Sequence, residues 1–241
     1  ASAPAAAPAA SAPATSLAPP LAASPVATPP PSRHLLLPTD LKHPGAGTCY
    51  IEHALSDAAV DSLRVLWGTL PRAPEHKASP IDRSYYADAD RWLAAQLAAS
   101  ITSAFGAAPA GGGGAVEVEV QPLVRFLSYA TPGGALPPHV DLPRKSAATG
   151  AKTTHTLLLY LTDCDEGGET LFLEARNGDA KVASAGGVAA GERATLARVA
   201  PRRGRLLLMP HTCPHASAPV VDVPKLLVRG EVRLHRATQP S

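Results

Sequence analysis

A histidine and an aspartate two positions apart form a pair that could bind a metal ion. His139 and Asp141 close the stretch LVRFLSYATPGGALPPHVD, in which a β-branched and aromatic run is broken by a Pro-Gly-Gly turn. On an extended backbone, residues i and i+2 point to the same face, so both side chains can approach one ion. A third ligand from elsewhere in the chain would complete such a site.

Two histidines in the stretch PHTCPH offer that third ligand. His211 and His215 are four residues apart, as in the helical pair of zinc proteases, but no glutamate follows the first and Pro214 prevents a regular helix. A strand-borne trio is the better interpretation. His139, Asp141 and His215 would then form the two-histidine, one-carboxylate site of non-haem Fe(II) oxygenases, which leaves open positions on the metal. We expect the remaining histidines to be surface or hydrogen-bonded residues: His34, His43, His53, His76, His155 and His235.

A lysine follows the trio at a regular interval. Lys225 stands ten residues beyond His215 and opens the predicted strand KLLVRGEVRL. A cation on this strand could bind a carboxylate of a cosubstrate. Arg229 lies four residues later and therefore on the same face, where its guanidinium could share or replace that role. The alternative for Arg229 is an ion pair with a carboxylate such as Glu231 or Asp222.

These residues together resemble the prolyl 4-hydroxylase-like 2-oxoglutarate/Fe(II) dioxygenases. The resemblance covers residues 120–234 and rests on H-x-D, a distal histidine and a lysine ten residues later. The segment THTLLLYLTDCDEGGETLFL is similar to the family's strand, acidic turn and G-G-x-T strand. Two departures stand out: Leu136 occupies a position that is often aromatic in the family, and the insert at 174–200 is long.

The resemblance implies a chemistry and a role for each matching residue. His139, Asp141 and His215 would bind iron, Lys225 would pair with the C5 carboxylate of 2-oxoglutarate, Tyr160 would assist there, and Tyr129 would lie near the iron-proximal end of the cosubstrate. The cofactor is then Fe(II), with 2-oxoglutarate and O2 as cosubstrates and ascorbate as reductant. The expected reaction hydroxylates an unactivated C–H bond and releases succinate and CO2, and an apolar lining from Leu158, Leu207 and Val228 would exclude water.

The substrate is the part of the function that the residues define least. We expect prolyl residues in a peptide or protein. A small molecule or a free amino acid would use the same chemistry, and a non-catalytic metal-binding β-roll is the alternative from another class. Succinate release and the identity of the bound metal would distinguish these hypotheses.

The elements that must position these residues follow from changes in composition and periodicity. Residues 1–34, rich in Ala and Pro, predict a disordered tail. Residues 35–115 predict a helical supporting region packed on the core, with one helix capped by Ser56 and ended by Pro71 and another over 88–104. The segment IDRSYY between them is a loop or short strand whose Arg83, Tyr85 and Tyr86 could line a cleft, although we expect two buried aromatics.

Residues 116–241 change to the period of strands. Short apolar runs separated by Gly and Pro turns predict an antiparallel sandwich or barrel, and 177–191 is expected to form a surface loop. With the resemblance, the fold class is α+β: a double-stranded β-helix (jelly-roll) core with N-terminal supporting helices. The candidate strands are 116–129, 154–161, 170–173, 194–199, 206–209 and 225–235.

Composition excludes several classes of protein. The 241 residues include 22 basic and 20 acidic ones, which is too balanced for the basic field of a non-specific nucleic-acid binder. The three cysteines form no C-x-x-C pair, which argues against a disulfide scaffold or a cysteine zinc site. No apolar run reaches transmembrane length, so we expect a soluble protein without a membrane partner. The residues leave the compartment open, because a leader before Ala1 could have been removed. They also leave the oligomeric state open.

Overall fold

The computed structural model describes residues 29–73, 81–106, 116–146, 149–176 and 193–236. These residues form the helices α1 (Asp57–Thr69) and α2 (Trp92–Phe105). They also form the strands β1 (Ser32–Leu35), β2 (Cys49–Glu52), β3 (Asp82–Ala87), β4 (Val116–Val120), β5 (Leu123–Tyr129), β6 (Leu136–His139), β7 (His155–Tyr160), β8 (Thr170–Leu173), β9 (Thr195–Val199), β10 (Leu206–Pro210), β11 (His215–Ser217) and β12 (Lys225–Arg236).

Two antiparallel sheets build the core. The larger sheet has the strand order β1-β2-β10-β7-β12-β5-β3, with β4 also paired to β12, and the smaller sheet has the order β6-β11-β8-β9. Side chains from both sheets meet in one apolar cluster, for example Leu127 and Leu207 from the larger sheet and Phe172 from the smaller one. The predicted jelly-roll core is therefore confirmed.

The helices cover the other face of the larger sheet. Leu63 of α1 and Leu97 of α2 pack in one buried cluster with Leu157 and Val228. Because successive side chains of a strand point to opposite faces, Val228 faces the helices and its neighbour Leu227 faces the inside of the roll. The expectation that Val228 lines the site is wrong by this one-residue change of face.

Local capping sets where each helix begins. The Ser56 hydroxyl accepts a hydrogen bond from the Ala59 N–H at 3.3 Å, and α1 starts at the next residue, as predicted. The second helix begins at Trp92 rather than at Asp88. The buried Asp88 carboxylate accepts the Ala94 N–H at 2.8 Å, so it caps the first turn from outside the helix.

The region at 35–115 contributes strands as well as helices to the roll. Strand β1 begins slightly before the predicted boundary at residue 35, and β1, β2 and β3 all belong to the larger sheet. The Tyr86 hydroxyl accepts a hydrogen bond from Trp92 Nε1 at 2.9 Å, so Tyr86 does anchor α2. Tyr85 is 47% exposed, so the expectation of two buried aromatics is wrong for this residue.

Some predictions fall on residues that the structure does not describe. Residues 1–28 of the tail predicted at 1–34, and the whole of the loop predicted at 177–191, lie outside the described ranges. The long insert connects β8 to β9, which pair antiparallel, so its two ends return to neighbouring strands. Neither of the described helices is long and apolar enough to span a membrane.

Candidate active site

The three predicted metal ligands meet at one edge of the smaller sheet. His139 of β6 and His215 of β11 are direct partners in the antiparallel register, and their ring centroids are 4.1 Å apart. Asp141 follows β6 and is fixed by its backbone N–H, which donates to the His211 carbonyl at 2.8 Å. One ligand atom from each of the three side chains lies within 4.8 Å of the others.

Both histidines are turned to the site by the same hydrogen bond. His139 Nδ1 lies 2.9 Å from the Pro137 carbonyl and His215 Nδ1 lies 2.9 Å from the Cys213 carbonyl. A carbonyl oxygen only accepts, so Nδ1 carries the proton in each ring and the lone pair of Nε2 is free for a metal. Burial, and then the neighbouring His139, lowers the pKa of His215 to about 4, which keeps this ring neutral. The donor set therefore fits a divalent metal.

The carboxylate of Asp141 is hydrogen-bonded at both oxygens. Arg229 donates to Oδ1 at 2.7 Å, and the Thr156 hydroxyl donates to Oδ2 at 2.6 Å. Asp141 Oδ2 lies 3.8 Å from His215 Nε2, so this oxygen faces the histidines. Arg229 also pairs with Glu231 at 2.8 Å, which is one of the partners that the sequence predicted.

Asp222, the other partner considered for Arg229, has a different role. Its carboxylate accepts the backbone N–H groups of Asp165 and Glu166 at 2.7 and 2.8 Å. It therefore ties down the acidic turn that precedes the G-G-x-T strand.

Lys225 is buried at the other end of the site. Its side chain enters the roll beside β8 and β11, and the residue is 1% exposed. Nζ donates to the Gly168 carbonyl at 2.6 Å and to Ser217 Oγ at 2.7 Å. An ammonium group has three N–H donors, so one is left for a ligand. Burial lowers the pKa of Lys225 to about 8.

Both glycines of the G-G-x-T segment adopt positive φ angles and have close neighbours, so a side chain fits poorly at either position. Gly167 and Gly168 have φ angles of +73° and +70°, which other residues rarely adopt. A Cβ on Gly167 would lie 2.4 Å from the Pro219 carbonyl oxygen, and one on Gly168 would lie 3.2 Å from Lys225 Cδ. The segment can therefore approach Lys225 closely enough to accept its hydrogen bond.

The two tyrosines of the prediction lie near Lys225. Tyr129 is the direct partner of Lys225 in the β5–β12 pair, and Nζ is 4.6 Å from the centroid of its ring. The resemblance put Tyr129 near the iron-proximal end of the cosubstrate. In the structure its ring lies beside the Lys225 ammonium group, and the residue lines the cavity that also contains His139 and His215. The hydroxyl of Tyr160 lies 2.7 Å from Thr170 Oγ1, and Thr170, not Tyr160, lines the cavity.

A cavity connects the two histidines of the trio with Lys225. Its metal end contains His139, His215 and Arg229, and its other end contains Thr170, Ser217 and Lys225. Of the predicted apolar lining, Leu158 is present, while Leu207 packs in the adjoining cluster without reaching the cavity wall. Leu136, the residue at the often aromatic position, is part of the wall. The aliphatic wall residues are Leu127, Leu136, Leu158, Ala216 and Leu227.

Sequence reasoning missed three polar residues of the site and considered His211 only as a possible metal ligand. Ser217 could have been found, because it lies two residues after His215 on the same strand and so on the same face. Thr170 could have been found as the last residue of G-G-x-T. Thr156 and His211 reach Asp141 from other strands or loops, and no spacing in the sequence indicates them.

Fold and site together define a jelly-roll protein with a two-histidine, one-carboxylate cluster that could hold a metal ion. Residues 124–232 match the family model of the 2OG-Fe(II) oxygenase superfamily. This match confirms the resemblance to 2-oxoglutarate/Fe(II) oxygenases that the residue pattern predicted. A comparison with curated proteins finds none that matches the chain.

Solved structures of this superfamily are similar to the chain at low sequence identity. HygX from Streptomyces hygroscopicus, with nickel and 2-oxoglutarate bound, is 13% identical with a TM-score of 0.50, over 78% of this chain and 82% of that chain. The epimerase SnoN, in complex with Fe3+, α-ketoglutarate and nogalamycin RO, is 17% identical with a TM-score of 0.50, over 80% of this chain and 82% of that chain. The viral collagen prolyl hydroxylase of Paramecium Bursaria Chlorella virus-1 is 15% identical with a TM-score of 0.46, over 79% of this chain and 95% of that chain. HygX and SnoN share the fold of this chain.

Proposed function

We propose that this protein is a 2-oxoglutarate- and Fe(II)-dependent hydroxylase that acts on prolyl residues of a peptide or protein and releases succinate and CO2. The observation that carries the chemistry is a cavity with His139 and His215, two members of the His-Asp-His cluster, at one end and a buried lysine at the other. The prolyl substrate rests on the residue pattern, in which the cosubstrate cation is a lysine ten residues after the last histidine.

The metal end supplies three protein ligands and leaves the other positions open. His139 and His215 would bind through Nε2 and Asp141 through its carboxylate, since both Nδ1 atoms are held by backbone carbonyls. Such a donor set suits Fe(II). Iron, when bound together with 2-oxoglutarate and O2, supplies the oxidising power that C–H hydroxylation needs.

The lysine end would hold the far carboxylate of 2-oxoglutarate. Lys225 donates two of its three N–H groups to Gly168 and Ser217, which leaves the third for a ligand in the cavity. A buried, unpaired ammonium group is costly, so a carboxylate that pairs with it is bound strongly. The Thr170 hydroxyl can donate a hydrogen bond to the same carboxylate while it accepts one from the Tyr160 hydroxyl. Tyr160 would then assist through Thr170, not by direct contact.

The walls between the two ends would exclude water from the reaction. Leu127, Leu158 and Leu227 come from neighbouring strands of the larger sheet, and Leu136 faces them from the smaller one. Their apolar side chains would pack against the methylene groups between the two carboxylates of 2-oxoglutarate. The dry surroundings also strengthen the electrostatic contacts at both ends.

The metal end is the more open side and is where a substrate would enter. His139 is half-buried, whereas Lys225 is 1% exposed. Leu142, the residue after Asp141, is 55% exposed and offers an apolar surface beside the ligands. Such an open rim can admit a loop of polypeptide.

An assay of succinate release tests the proposal. Purified protein, loaded with Fe(II) under anaerobic conditions, is given 2-oxoglutarate, O2, ascorbate and a panel of proline-containing peptides, each matched with a peptide that has alanine in place of proline. We expect succinate and a mass gain of one oxygen that depend on the proline, and neither product with the variant His139→Ala.

Other outcomes of the same assay identify the alternatives. Turnover with free L-proline or another small molecule, and none with peptides, would contradict the peptide substrate but keep the chemistry. Tight zinc binding without 2-oxoglutarate binding or succinate release would support a non-catalytic metal-binding roll and contradict the proposal as a whole.

A further inference from the structure

The carboxylate of Asp141 is held at both of its oxygens by residues that do not ligate the metal. We propose that Arg229 and the pair Thr156–His211 are positioning residues that present only Oδ2 of Asp141 to the metal. This inference rests on the metal site of the proposed function.

Arg229 binds the oxygen Oδ1 of Asp141 and is itself held in place by Glu231. Its guanidinium donates to Asp141 Oδ1 at 2.7 Å and to Glu231 Oε1 at 2.8 Å. Glu231 is 2% exposed and also accepts from Arg125 at 3.0 Å and Arg144 at 3.2 Å. Because the guanidinium is planar with a rigid fork of donors, bonds to two carboxylates fix its orientation. Oδ1 is therefore engaged in a buried ion pair.

A directed chain of hydrogen bonds reaches the oxygen Oδ2. Thr156 Oγ1 lies 2.6 Å from Asp141 Oδ2 and 2.9 Å from His211 Nδ1. A carboxylate only accepts, so the hydroxyl proton goes to Asp141 and Thr156 must accept from His211 Nδ1–H. His211 Nε2 is then the acceptor for the hydroxyl of Thr153 at 2.8 Å, and Thr153 in turn accepts the Arg144 N–H at 2.9 Å. The carboxylate of Asp141, which only accepts, therefore fixes the direction of every hydrogen bond in this series.

His211 also fixes the backbone of the ligand. Its carbonyl accepts the Asp141 N–H at 2.8 Å, so one residue holds both the main chain and, through Thr156, the side chain of Asp141. His211 is 3% exposed and directly follows β10, a central part of the larger sheet. The support therefore comes from a rigid element of the opposite sheet.

The consequence concerns the number of oxygens offered to the metal. With Oδ1 engaged by Arg229, the remaining lone pair of Oδ2, which faces His215 Nε2 at 3.8 Å, is left for the metal. A carboxylate that was free to turn could bind through both oxygens and occupy a further position. The two supports would thus keep positions open for 2-oxoglutarate and O2. Residues that orient ligands in this way typically change metal affinity by about 10–100-fold.

The test uses Co(II) as a probe of the metal-free protein, without turnover. Co(II) affinity is measured by titration calorimetry, and the visible absorption of bound Co(II) reports its coordination. The key variant is Thr156→Val, which removes the hydroxyl at nearly constant volume, and Thr156→Ser restores it. Thr48→Val is the matched control, since Thr48 is equally buried and donates to the Gly45 carbonyl at 2.7 Å.

We expect Thr156→Val to bind Co(II) about 10–100-fold more weakly, and Thr156→Ser and Thr48→Val to bind as the wild type does. Arg229→Lys keeps the charge but cannot bridge Asp141 and Glu231, so we expect a changed Co(II) spectrum as Oδ1 becomes available. If Thr156→Val does not fold, His211→Gln removes the Nδ1 donor and keeps the carbonyl contact with Asp141.

The outcomes separate this inference from the proposed function. Failure of the wild-type protein to bind Co(II) would contradict the metal site itself. Normal binding by the wild type, with unchanged affinity and spectrum in Thr156→Val and Arg229→Lys, would overturn the positioning role alone.

Discussion

Lys225 and Gly168 are joined by a hydrogen bond of 2.6 Å from the ammonium group to the backbone carbonyl. This bond links the first residue of β12 to the turn before β8, and it holds a cation inside an apolar roll. Lys225 therefore lies at the end of the cavity opposite the histidines.

Replacement of Lys225 should remove most of the binding of 2-oxoglutarate. In Lys225→Met the C5 carboxylate would enter the roll without a counter-charge, which for a buried pair costs about 2–5 kcal/mol, or roughly 30- to 4000-fold in affinity. Titration calorimetry with 2-oxoglutarate on the Ni(II)-loaded protein measures this loss. Lys152→Met, at an exposed lysine, is the matched control and should bind normally. Equal affinity in both variants would assign the cosubstrate to another cation, with Arg229 the first to examine.

The binding of 2-oxoglutarate should weaken as the pH rises above about 8. Burial lowers the pKa of Lys225 to about 8, so above that pH the free protein has a neutral amine where the carboxylate must bind. The KM for 2-oxoglutarate should then rise by up to about 10-fold per pH unit. Lys225→Arg keeps its charge over this range, so its profile should be flat. A wild-type KM that is constant from pH 7 to 10 would contradict the prediction.

The same pKa predicts how the stability of the metal-free protein depends on pH. The folded pKa of about 8 lies below the ordinary value of 10.5, so between these values the unfolded chain binds more protons than the folded one. The contribution of Lys225 to the free energy of unfolding should therefore rise with pH through this window. Urea unfolding at pH 7.5 and 10 should show a larger gain in the wild type than in Lys225→Met. An equal gain in both would exclude this residue as the cause.

Tyr160 and Thr170 should act as one unit in cosubstrate binding. Tyr160→Phe removes the partner of the Thr170 hydroxyl, which should cost about 1 kcal/mol in 2-oxoglutarate affinity. Thr170→Val should cost at least as much, because Thr170 itself lines the cavity. The double variant should lose less than the sum of the two, as expected of residues in contact. Additive losses would indicate that Tyr160 contacts the cosubstrate independently.

Gly168→Ala should reduce both stability and 2-oxoglutarate affinity. Its φ of +70° costs an alanine about 1–2 kcal/mol, and the added Cβ would meet Lys225 Cδ at 3.2 Å. Gly150→Ala is the matched control, because Gly150 has a φ of +69° with nothing within 4 Å. Both variants should lose similar stability, but only Gly168→Ala should shift Lys225 and weaken 2-oxoglutarate binding. Normal cosubstrate affinity in Gly168→Ala would show that Lys225 adapts.

The residues that the sequence alone could single out are those whose spacing has a local meaning. His139 and Asp141 share a face because of the two-residue period of a strand, and the Ser56 cap marks the start of α1 within four residues. Lys225 was found because its distance from His215 along the chain is characteristic of a known family. Each of these signals lies within about a dozen residues of sequence.

Tertiary structure decided the rest of the site, because the remaining contacts join distant strands. Val228 and Leu227 are both apolar, and only the register of β12 against β5 and β7 determines which of them faces the cavity. Thr156 supports Asp141 from 15 residues away in the sequence, and His211 lies farther still. Such contacts depend on how two sheets pack, and no period or spacing in the sequence encodes that packing. The sequence by itself thus indicated the candidate metal ligands and the candidate cosubstrate cation, and the packing of the two sheets determined what holds them in place.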